Sequence, residues 1–275
     1  MWDPGQYQRF ASQRARPFFE LLARVGATQP GLVADLGCGP GDLTAVLAGR
    51  WPGADVVGVD SSAEMIRAAE TMCGQHDEGT AGRAGHAADR ADPASPRLSF
   101  VPADLRDWRP DGAADVIICN AVLQWVPEHL AVVSSWPGML ASGGWLAFQV
   151  PGNFDQPSHE ILRELAGSPR WRRLLRGVQL NRQAGQPGEY LELLAGAGCE
   201  VDAWETTYLH VLRGADPVLD WYKGTALRPV IAALDPAAAR DFLAEYGARA
   251  RVAYPAAPYG TVLPFRRVFV VASRR

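Results

Sequence analysis

Three alternating glycines at the end of an apolar run carry the clearest chemical signal in this chain. Residues 33–36, Val-Ala-Asp-Leu, are followed by Gly37, Gly39 and Gly41, and residues 43–48 then have helical character. A strand, a tight glycine turn and a helix in this order are typical of nucleotide-binding loops, because glycine lets the backbone approach a ligand closely. The segment therefore predicts a site for a nucleotide-containing cofactor.

The spacing of these glycines distinguishes between cofactors. A dinucleotide fingerprint is G-x-G-x-x-G and places a pyrophosphate at the helix N-terminus, but Asp42 stands here where the third glycine would fall. A carboxylate there would repel a pyrophosphate and would suit a cationic cofactor. Asp60 closes the apolar run 56–59, where it can accept hydrogen bonds from both ribose hydroxyls. Together these features predict a loop of the S-adenosylmethionine-binding kind.

Two later segments add polar groups at the ends of predicted strands. Asp104 follows residues 98–101 and could accept a hydrogen bond from an adenine amino group, or it could pair with Arg106. Asn120 ends the predicted strand 116–119 and is followed by Gln124 and Trp125. Ligands of open α/β sheets bind at the carboxyl ends of the strands, so both segments are expected near the cofactor.

Bulk properties exclude several classes of function. The chain has 275 residues, 48% of them hydrophobic, a net charge of -3 and a pI near 6.0, which gives no general attraction to nucleic acid or to anionic membranes. Its four cysteines are widely separated, without C-x-x-C pairs or histidines at metal-ligand spacing, so no metal site is expected. We find neither a secretory leader pattern nor a run of about 18 apolar residues. A cytoplasmic protein is expected.

The first half of the chain alternates between strand and helix patterns. Gly143 and Gly144 are expected to form the turn before the fifth strand. Such alternation predicts a parallel sheet with right-handed crossovers. The predicted helices are 17–25, 63–73 and 128–140, and the predicted strands are 32–36, 55–59, 98–101, 116–119 and 145–150.

The second half departs from this rhythm. Helices are predicted at 158–166 and 190–197 and strands at 201–212 and 267–272, and residues 213–263, with helical patterns at 217–226 and 237–252, are expected to form a helical cap. Residues 74–97 contain no large apolar side chain. They are expected to form a flexible surface insertion, with a lid as the alternative.

These residues resemble the class I S-adenosylmethionine-dependent methyltransferases, and more closely the trans-aconitate 2-methyltransferase family. The resemblance covers nearly the whole chain, and its second-half motifs are more specific than the glycine loop. The segment 74–97 is an insertion relative to the family. The motifs that carry the resemblance are Trp2-Asp3-Pro4 with Tyr7, Arg14-Ala15-Arg16-Pro17, Asp35 to Gly41, Asn120 to Trp125, Ala197 to Trp204, Thr206-Thr207-Tyr208 with His210, Asp220-Trp221, Leu227-Arg228-Pro229 and Arg267 to Ala272.

The resemblance implies an α/β fold with a Rossmann-like, mostly parallel sheet, an antiparallel last strand and a helical cap. It implies a single methyltransferase domain over 1–275, with an N-terminal lid and helix in 1–30. The implied cofactor is S-adenosylmethionine, held by Asp35, Gly37, Cys38, Gly39, Asp60, Ser61, Asp104, Leu105 and Asn120.

The implied reaction methylates a carboxylate of trans-aconitate, giving a monomethyl ester and S-adenosylhomocysteine. A carboxylate is already ionised at neutral pH, so no general base is expected. A small tricarboxylate needs cations to hold it, and arginine binds carboxylates with two parallel hydrogen bonds. The substrate-binding candidates are Arg14, Arg228 and Arg267, with Tyr7, Gln124, Trp125, Tyr208 and His210 as neighbours.

Other interpretations stay open at this point. Each arginine could instead form a surface or structural ion pair, and His210 could be a structural residue of its strand. The segment 123–125 also resembles methyltransferases that esterify a malonyl group on a carrier protein. A third possibility is a module that binds the cofactor without catalysis, although the intact glycine loop and the arginine-rich cap argue against it.

Overall fold

The structure is a computed structural model that describes residues 11–80, 97–180 and 184–275, with side chains described for 15–73, 98–180 and 184–275. These residues form two compact units. The sheet unit comprises the described parts of Phe18–Val150, Gly185–Trp204 and Phe269–Arg275. The helical unit comprises the described parts of Met1–Pro17, Pro151–Ala184 and Glu205–Val268. The predicted cap segment lies wholly within the helical unit, whereas a single functional domain over the whole chain stays a prediction.

The sheet has the strand order β3-β2-β1-β4-β5-β8-β6, with the short β7 paired to β8. The strands are β1 (Leu32–Leu36), β2 (Asp55–Asp60), β3 (Arg97–Pro102), β4 (Ala114–Asn120), β5 (Leu140–Pro151), β6 (Cys199–Leu212), β7 (Ala256–Ala257) and β8 (Gly260–Arg274). The pairs among β1 to β5 are parallel, and β7 pairs antiparallel with β8. The predicted α/β class with a mostly parallel sheet is confirmed.

The strand order explains where a site must form. After β3 the chain crosses to the other side of β1, so that Val33 of β1 pairs with Val56 of β2 on one side and with Val116 of β4 on the other. Loops leaving β1 and β4 therefore turn in opposite directions. A crevice opens between them at the carboxyl ends of the strands, which is where open α/β sheets bind ligands.

Several predicted helices have different ends in the structure. The helices are α1 (Ala11–Leu22), α2 (Asp42–Arg50), α3 (Ala63–Thr80), α4 (His129–Ser135), α5 (Pro157–Gly167), α6 (Pro187–Gly196), α7 (Pro217–Lys223), α8 (Arg228–Ala233) and α9 (Pro236–Ala253). The backbone of α3 continues to Thr80, so residues 74–80 are helical where a loop was predicted. Residues 81–96 of the predicted insertion lie outside the described residues, and its last residue, Arg97, begins β3.

The predicted turn at Gly143 and Gly144 is wrong, because both residues lie inside β5. This strand begins at Leu140, which pairs with Ala114, and the next pair is Val116 with Trp145. The extra residues of β5 are accommodated by an irregularity at which Gly143 has φ 74°. A strand bulge at a glycine thus replaces the expected turn.

The helical unit has its own apolar core. Trp171 and Trp221 are almost fully buried there together with Phe242. The predicted helix 217–226 ends early in the structure, since α7 stops at Lys223 before Gly224, and a separate helix, α8, begins at Arg228. The alternation predicted along β6 is confirmed, since Tyr208 is buried whereas Leu209 is 66% exposed. Across the part of the chain that the structure describes, no helix is both long and apolar enough to cross a membrane.

Candidate functional site

The glycine loop after β1 is held in place by backbone hydrogen bonds to β2. Gly37, Gly39 and Gly41 have φ values of 80°, 56° and 86°, which side chains rarely tolerate. The N–H groups of Gly37 and Cys38 both donate to the carbonyl oxygen of Val59, at 2.7 and 3.0 Å. The loop is therefore fixed against the end of β2.

The three glycines serve two different purposes. A Cβ atom on Gly37 would lie 2.2 Å from Cγ2 of Val122, and one on Gly41 would lie 2.9 Å from the Cβ of Ala69. A Cβ on Gly39 would meet nothing within 4 Å. Gly37 and Gly41 therefore permit close packing inside the protein, whereas the space beside Gly39 is open to a ligand.

Asp60 links this loop to the end of β2. Its Oδ2 accepts a hydrogen bond from the N–H of Gly39 at 3.0 Å, and its Oδ1 accepts one from the N–H of Ser62 at 2.8 Å. A carboxylate offers about four acceptor positions, so each oxygen can still accept a bond from a ligand. The geometry suits the two hydroxyls of a ribose.

A cavity of about 250 Å³ opens beside Asp60. It contains five of the nine predicted cofactor residues, and Trp125, which was predicted on the substrate side. Residues that the sequence did not indicate complete it, including Val122 and Val126, which belong to the segment after β4. The lining residues are Gly37, Val59, Asp60, Ser61, Ala103, Asp104, Leu105, Arg106, Val122, Trp125, Val126 and Pro127. The open space at Gly39 and the acceptors of Asp60 fit the adenosine part of S-adenosylmethionine.

Asp104 forms the ion pair with Arg106 that the sequence left as an alternative to adenine binding. Its Oδ1 accepts from Nε of Arg106 at 2.9 Å, and its Oδ2 accepts from a terminal guanidinium nitrogen at 2.5 Å. The hydrogen bonds from Arg106 hold the pKa of the Asp104 carboxyl below its usual value. Because Asp104 also lines the cavity, its role toward adenine stays a prediction.

Four of the nine, Asp35, Cys38, Gly39 and Asn120, are not among the residues lining the cavity, although the space beside Gly39 is open. Asp35 is 2% exposed, and its Oδ2 accepts a hydrogen bond from the Thr44 hydroxyl at 2.7 Å. Oδ1 of Asn120 accepts from Nε2 of Gln149 at 2.5 Å. Burial, followed by the nearby carboxylates of Asp35 and Asp60, raises the pKa of the Cys38 thiol. These groups support the loop and the ends of β1 and β4 from behind.

Asp35 should make the stability of the cofactor-free protein depend on pH. Burial raises the pKa of Asp35 to about 6 in the folded state. The hydrogen bond from Thr44 lowers this pKa, and the nearby charge of Asp60 raises it. Since the folded protein holds the proton more tightly, stability falls as pH rises through about 6, by roughly 1 to 2 kcal/mol between pH 5 and pH 8. Urea unfolding at both pH values measures this loss. Asp35→Asn, which keeps an acceptor for Thr44, should remove that part of the pH dependence, and equal slopes in both proteins would refute the assignment.

The segment after β4 contains a strained residue. Ala121 has φ 58°, a value that is costly for a residue with a Cβ atom. Nε2 of Gln124 donates to the carbonyl oxygen of Ala121 at 2.6 Å, while Oε1 of Gln124 is buried and has no hydrogen-bond partner among the described residues. Strain and an unsatisfied buried acceptor in one short segment are typical of functional sites.

In the helical unit, the structure brings together three of the predicted substrate-binding residues. The rings of Tyr208 and His210 are parallel with centroids 5.9 Å apart, and His210 stacks on Trp221 at 4.9 Å. The charges of Arg267 and of Arg16 both act on His210. Arg16 therefore also belongs to this cluster. The sequence analysis named it only within the motif Arg14-Ala15-Arg16-Pro17 and did not predict that it binds substrate.

Three other predicted substrate residues, Arg228, Arg14 and Tyr7, are not assigned to this cluster. Arg228 is exposed at the start of α8. Arg14 lies in α1, but only its backbone is described, and Tyr7 lies outside the described residues. Their roles stay predictions.

A buried polar network forms a second group that the sequence did not indicate. The Tyr222 hydroxyl accepts hydrogen bonds from Nδ2 of Asn153 at 2.9 Å and from the Ser158 hydroxyl at 2.8 Å. Asn153 is fully buried, and its Oδ1 has no partner among the described residues. Burial raises the pKa of Tyr222 above its usual value, whereas the hydrogen bonds with Ser158 and Asn153 and, to a smaller extent, the charge of Arg267 lower it. The network therefore lies within electrostatic reach of Arg267.

Within the ranges the structure describes, no group of three or more His, Cys, Asp or Glu side chains could hold a metal ion.

Comparison with known proteins identifies the family. A family model described as "Methyltransferase domain" matches residues 7–203. A protein of Streptomyces avermitilis named trans-aconitate 2-methyltransferase is 51% identical over 99% of this chain and 97% of its own length. Proteins of the same name from Rhodococcus jostii and Mycobacterium tuberculosis are 49% and 44% identical, again over 99% of this chain and over 99% and 96% of their own lengths.

Solved structures are similar in fold at low sequence identity. The YcgJ protein of Bacillus subtilis superposes with a TM-score of 0.56 at 12% identity, over 94% of this chain and 98% of that one. Magnesium protoporphyrin IX methyltransferase of Synechocystis, solved with bound S-adenosylhomocysteine, gives 0.52 at 18% identity, over 96% and 82%. With relatives near 50% identity along the full chain, the conclusion is direct: the chain belongs to the trans-aconitate 2-methyltransferase family of class I S-adenosylmethionine-dependent methyltransferases.

Proposed function

We propose that this chain transfers the methyl group of S-adenosylmethionine to a carboxylate of trans-aconitate, giving a monomethyl ester and S-adenosylhomocysteine. One observation carries the proposal, namely that a relative named trans-aconitate 2-methyltransferase is 51% identical over 99% of the chain. The cavity at the ends of β1, β2 and β4 supports the cofactor assignment. The arginines near His210 support an anionic substrate.

The sheet unit supplies the cofactor site in this proposal. Asp60 accepts hydrogen bonds from the ribose hydroxyls, and the open space beside Gly39 admits the ligand to the loop. Ser61, Asp104 and Leu105 line the adenine side, while Asp35, Cys38 and Asn120 stabilise the strand ends. When bound, S-adenosylmethionine supplies an electrophilic methyl group on a positively charged sulfur.

The chain's own residues need to position the substrate and do not need to remove a proton from it. A substrate carboxylate is ionised at neutral pH and is a competent nucleophile once it is oriented. Arginine side chains such as Arg267 can hold the carboxylates that do not react, because each guanidinium binds a carboxylate with two hydrogen bonds. The proposal therefore assigns binding residues and no general base.

Methyl transfer from labelled cofactor tests this function directly. The substrates compared are trans-aconitate, trans-glutaconate, which lacks one of its carboxylates, and crotonate, which lacks two. We expect kcat/KM to be highest for trans-aconitate and at least tenfold lower for crotonate, with the label in a base-labile ester. The Asp60→Ala protein serves as the control for cofactor-dependent turnover. Absence of labelled ester with all three substrates would refute the proposal.

A further inference from the structure

The segment 122–127, which follows β4, lies between two residues with left-handed backbone. Four of its residues line the cofactor cavity. Ala121 before it has φ 58° and Glu128 after it has φ 56°, and these are the two non-glycine residues with positive φ among those that the structure describes. Such backbone is costly for a residue with a Cβ atom, so it persists only where surrounding contacts maintain it.

The two ends of this segment are held by different contacts. At its start, the N–H of Ala121 donates to the carbonyl oxygen of Gln149 at 2.9 Å. At its other end, α4 begins at His129 directly after Glu128, and the Glu128 side chain forms no capping hydrogen bond to the helix. The position of this end therefore depends on other contacts, and His129 is placed to supply them.

His129 connects this end of the segment to α6. Its Nε2 is 2.9 Å from the hydroxyl of Tyr190, which also accepts a hydrogen bond from the N–H of Gly185 at 3.0 Å. Tyr190 is fully buried, and its ring packs edge-on against that of Phe148 in β5, with centroids 5.0 Å apart. The hydroxyl is therefore held in place within the core of the sheet unit.

The charge state of His129 fits a bridge between two neutral groups. Burial lowers its pKa, while the charge of Glu189 and a hydrogen bond with the backbone of Val126 raise it less, so the imidazole is neutral near pH 7. Because the N–H of Gly185 can only donate, the proton of the Tyr190 hydroxyl is left for Nε2 of the ring. The imidazole proton then lies on Nδ1, which can donate to the carbonyl oxygen of Val126.

We infer that His129 and Tyr190 are positioning residues for the cofactor, because together they hold the segment 122–127 in the conformation that lines the cavity. The bridge runs from the N–H of Gly185 through both side chains to the carbonyl oxygen of Val126. Neither side chain lines the cavity, so both act through the segment. The inference rests on the proposed function only in placing S-adenosylmethionine in this cavity, and it does not depend on the identity of the substrate.

Tyr190→Phe tests the inference, because it removes the hydroxyl and keeps the ring. Calorimetric titration should show that S-adenosylhomocysteine binds about threefold to tenfold more weakly. KM for trans-aconitate and kcat at saturating cofactor should stay within about twofold of the wild-type values, because the bridge supports only the cofactor side. Wild-type affinity in a folded Tyr190→Phe protein would overturn the inference. A wild-type chain that does not bind S-adenosylhomocysteine would overturn the cofactor assignment as well.

Tyr246→Phe is the matched control for the loss of a buried hydroxyl. Tyr246 is also fully buried, and its hydroxyl donates to the carbonyl oxygen of Ser158 at 3.1 Å in the helical unit. This variant should lower the melting temperature but bind S-adenosylhomocysteine with an affinity within about twofold of the wild type. Equal losses of affinity in Tyr190→Phe and Tyr246→Phe would show a general effect of stability and overturn the inference.

Two further measurements test the bridge itself. If the two side chains act through each other, the double variant His129→Phe/Tyr190→Phe should bind S-adenosylhomocysteine no more weakly than the weaker single variant, and additive losses would contradict the bridge. Nitrogen NMR of the five histidines, with His129→Phe to assign the resonances, reports the position of the imidazole proton. We expect it on Nδ1 of His129 near pH 7.5, and a proton on Nε2 would overturn the bridge.

Discussion

Gly37→Ala should destabilise the folded chain by about 2 to 5 kcal/mol and weaken cofactor binding at least tenfold. Left-handed backbone costs an alanine about 1 to 2 kcal/mol, and overpacking adds about 1 to 3 kcal/mol. The added Cβ would lie 2.2 Å from a methyl group of Val122, and this valine lines the cofactor cavity. Urea unfolding and calorimetric titration of S-adenosylhomocysteine measure the two effects.

Gly39→Ala is a matched control for this change. Gly39 also has a left-handed backbone, with φ 56°, but a Cβ there meets nothing within 4 Å. We therefore expect only the backbone cost of about 1 to 2 kcal/mol in stability. Val122→Ala combined with Gly37→Ala should recover part of the lost stability, because Cγ2 of Val122 is the nearest atom. Equal losses at Gly37 and Gly39 would contradict the packing explanation.

Asp60→Ala should weaken cofactor binding at least tenfold, equivalent to about 1.4 kcal/mol. The substitution removes the acceptors assigned to the ribose and also releases the N–H groups of Gly39 and Ser62. Asp60→Asn should weaken binding as well, because its amide nitrogen cannot accept a bond from the ribose or from Gly39. Calorimetry on both variants gives the affinities.

A change at the opposite end of β2 provides the comparison for Asp60. Asp55 is exposed and begins the strand that Asp60 ends, so Asp55→Asn removes one charge from the same strand. We expect its cofactor affinity to stay within twofold of the wild-type value. A folded Asp60→Ala protein with wild-type affinity would remove Asp60 from the ribose site.

Sequence patterns predicted those parts of the fold in which local chemistry determines structure. The strands predicted at 32–36 and 55–59 are largely apolar, as is typical of strands covered on both faces, and the structure confirms them as β1 and β2. The predicted ends of the helices and strands were less accurate. Residues 140–144 belong to β5 although Ser142, Gly143 and Gly144 favour a turn, because the strand pairs with β4 at Leu140 and again from Trp145 and the residues between form an irregularity.

The candidate site could be predicted only where local sequence determines it, and contacts between residues that are distant in the chain could not be predicted. Asp60 follows directly from an acidic residue at a strand end, and the structure places it in the cavity. Arg16 could not be distinguished from Arg14 by sequence, because its contact with Tyr208 joins residues far apart in the chain. The pairing of Asp104 with Arg106, by contrast, is local, and the sequence already contained it as an alternative.

The buried thiol of the glycine loop bears on the chemoselectivity of the enzyme. A thiolate is a far better nucleophile than a carboxylate, so an ionised Cys38 would compete with the substrate for the methyl group if the loop binds the methylsulfonium as proposed. Cys38 is 8% exposed and has the carboxylates of Asp35 and Asp60 nearby, and burial and these charges both raise the pKa of its thiol and keep it protonated. A carboxylate-methylating enzyme can therefore carry a cysteine in its cofactor loop without alkylating itself.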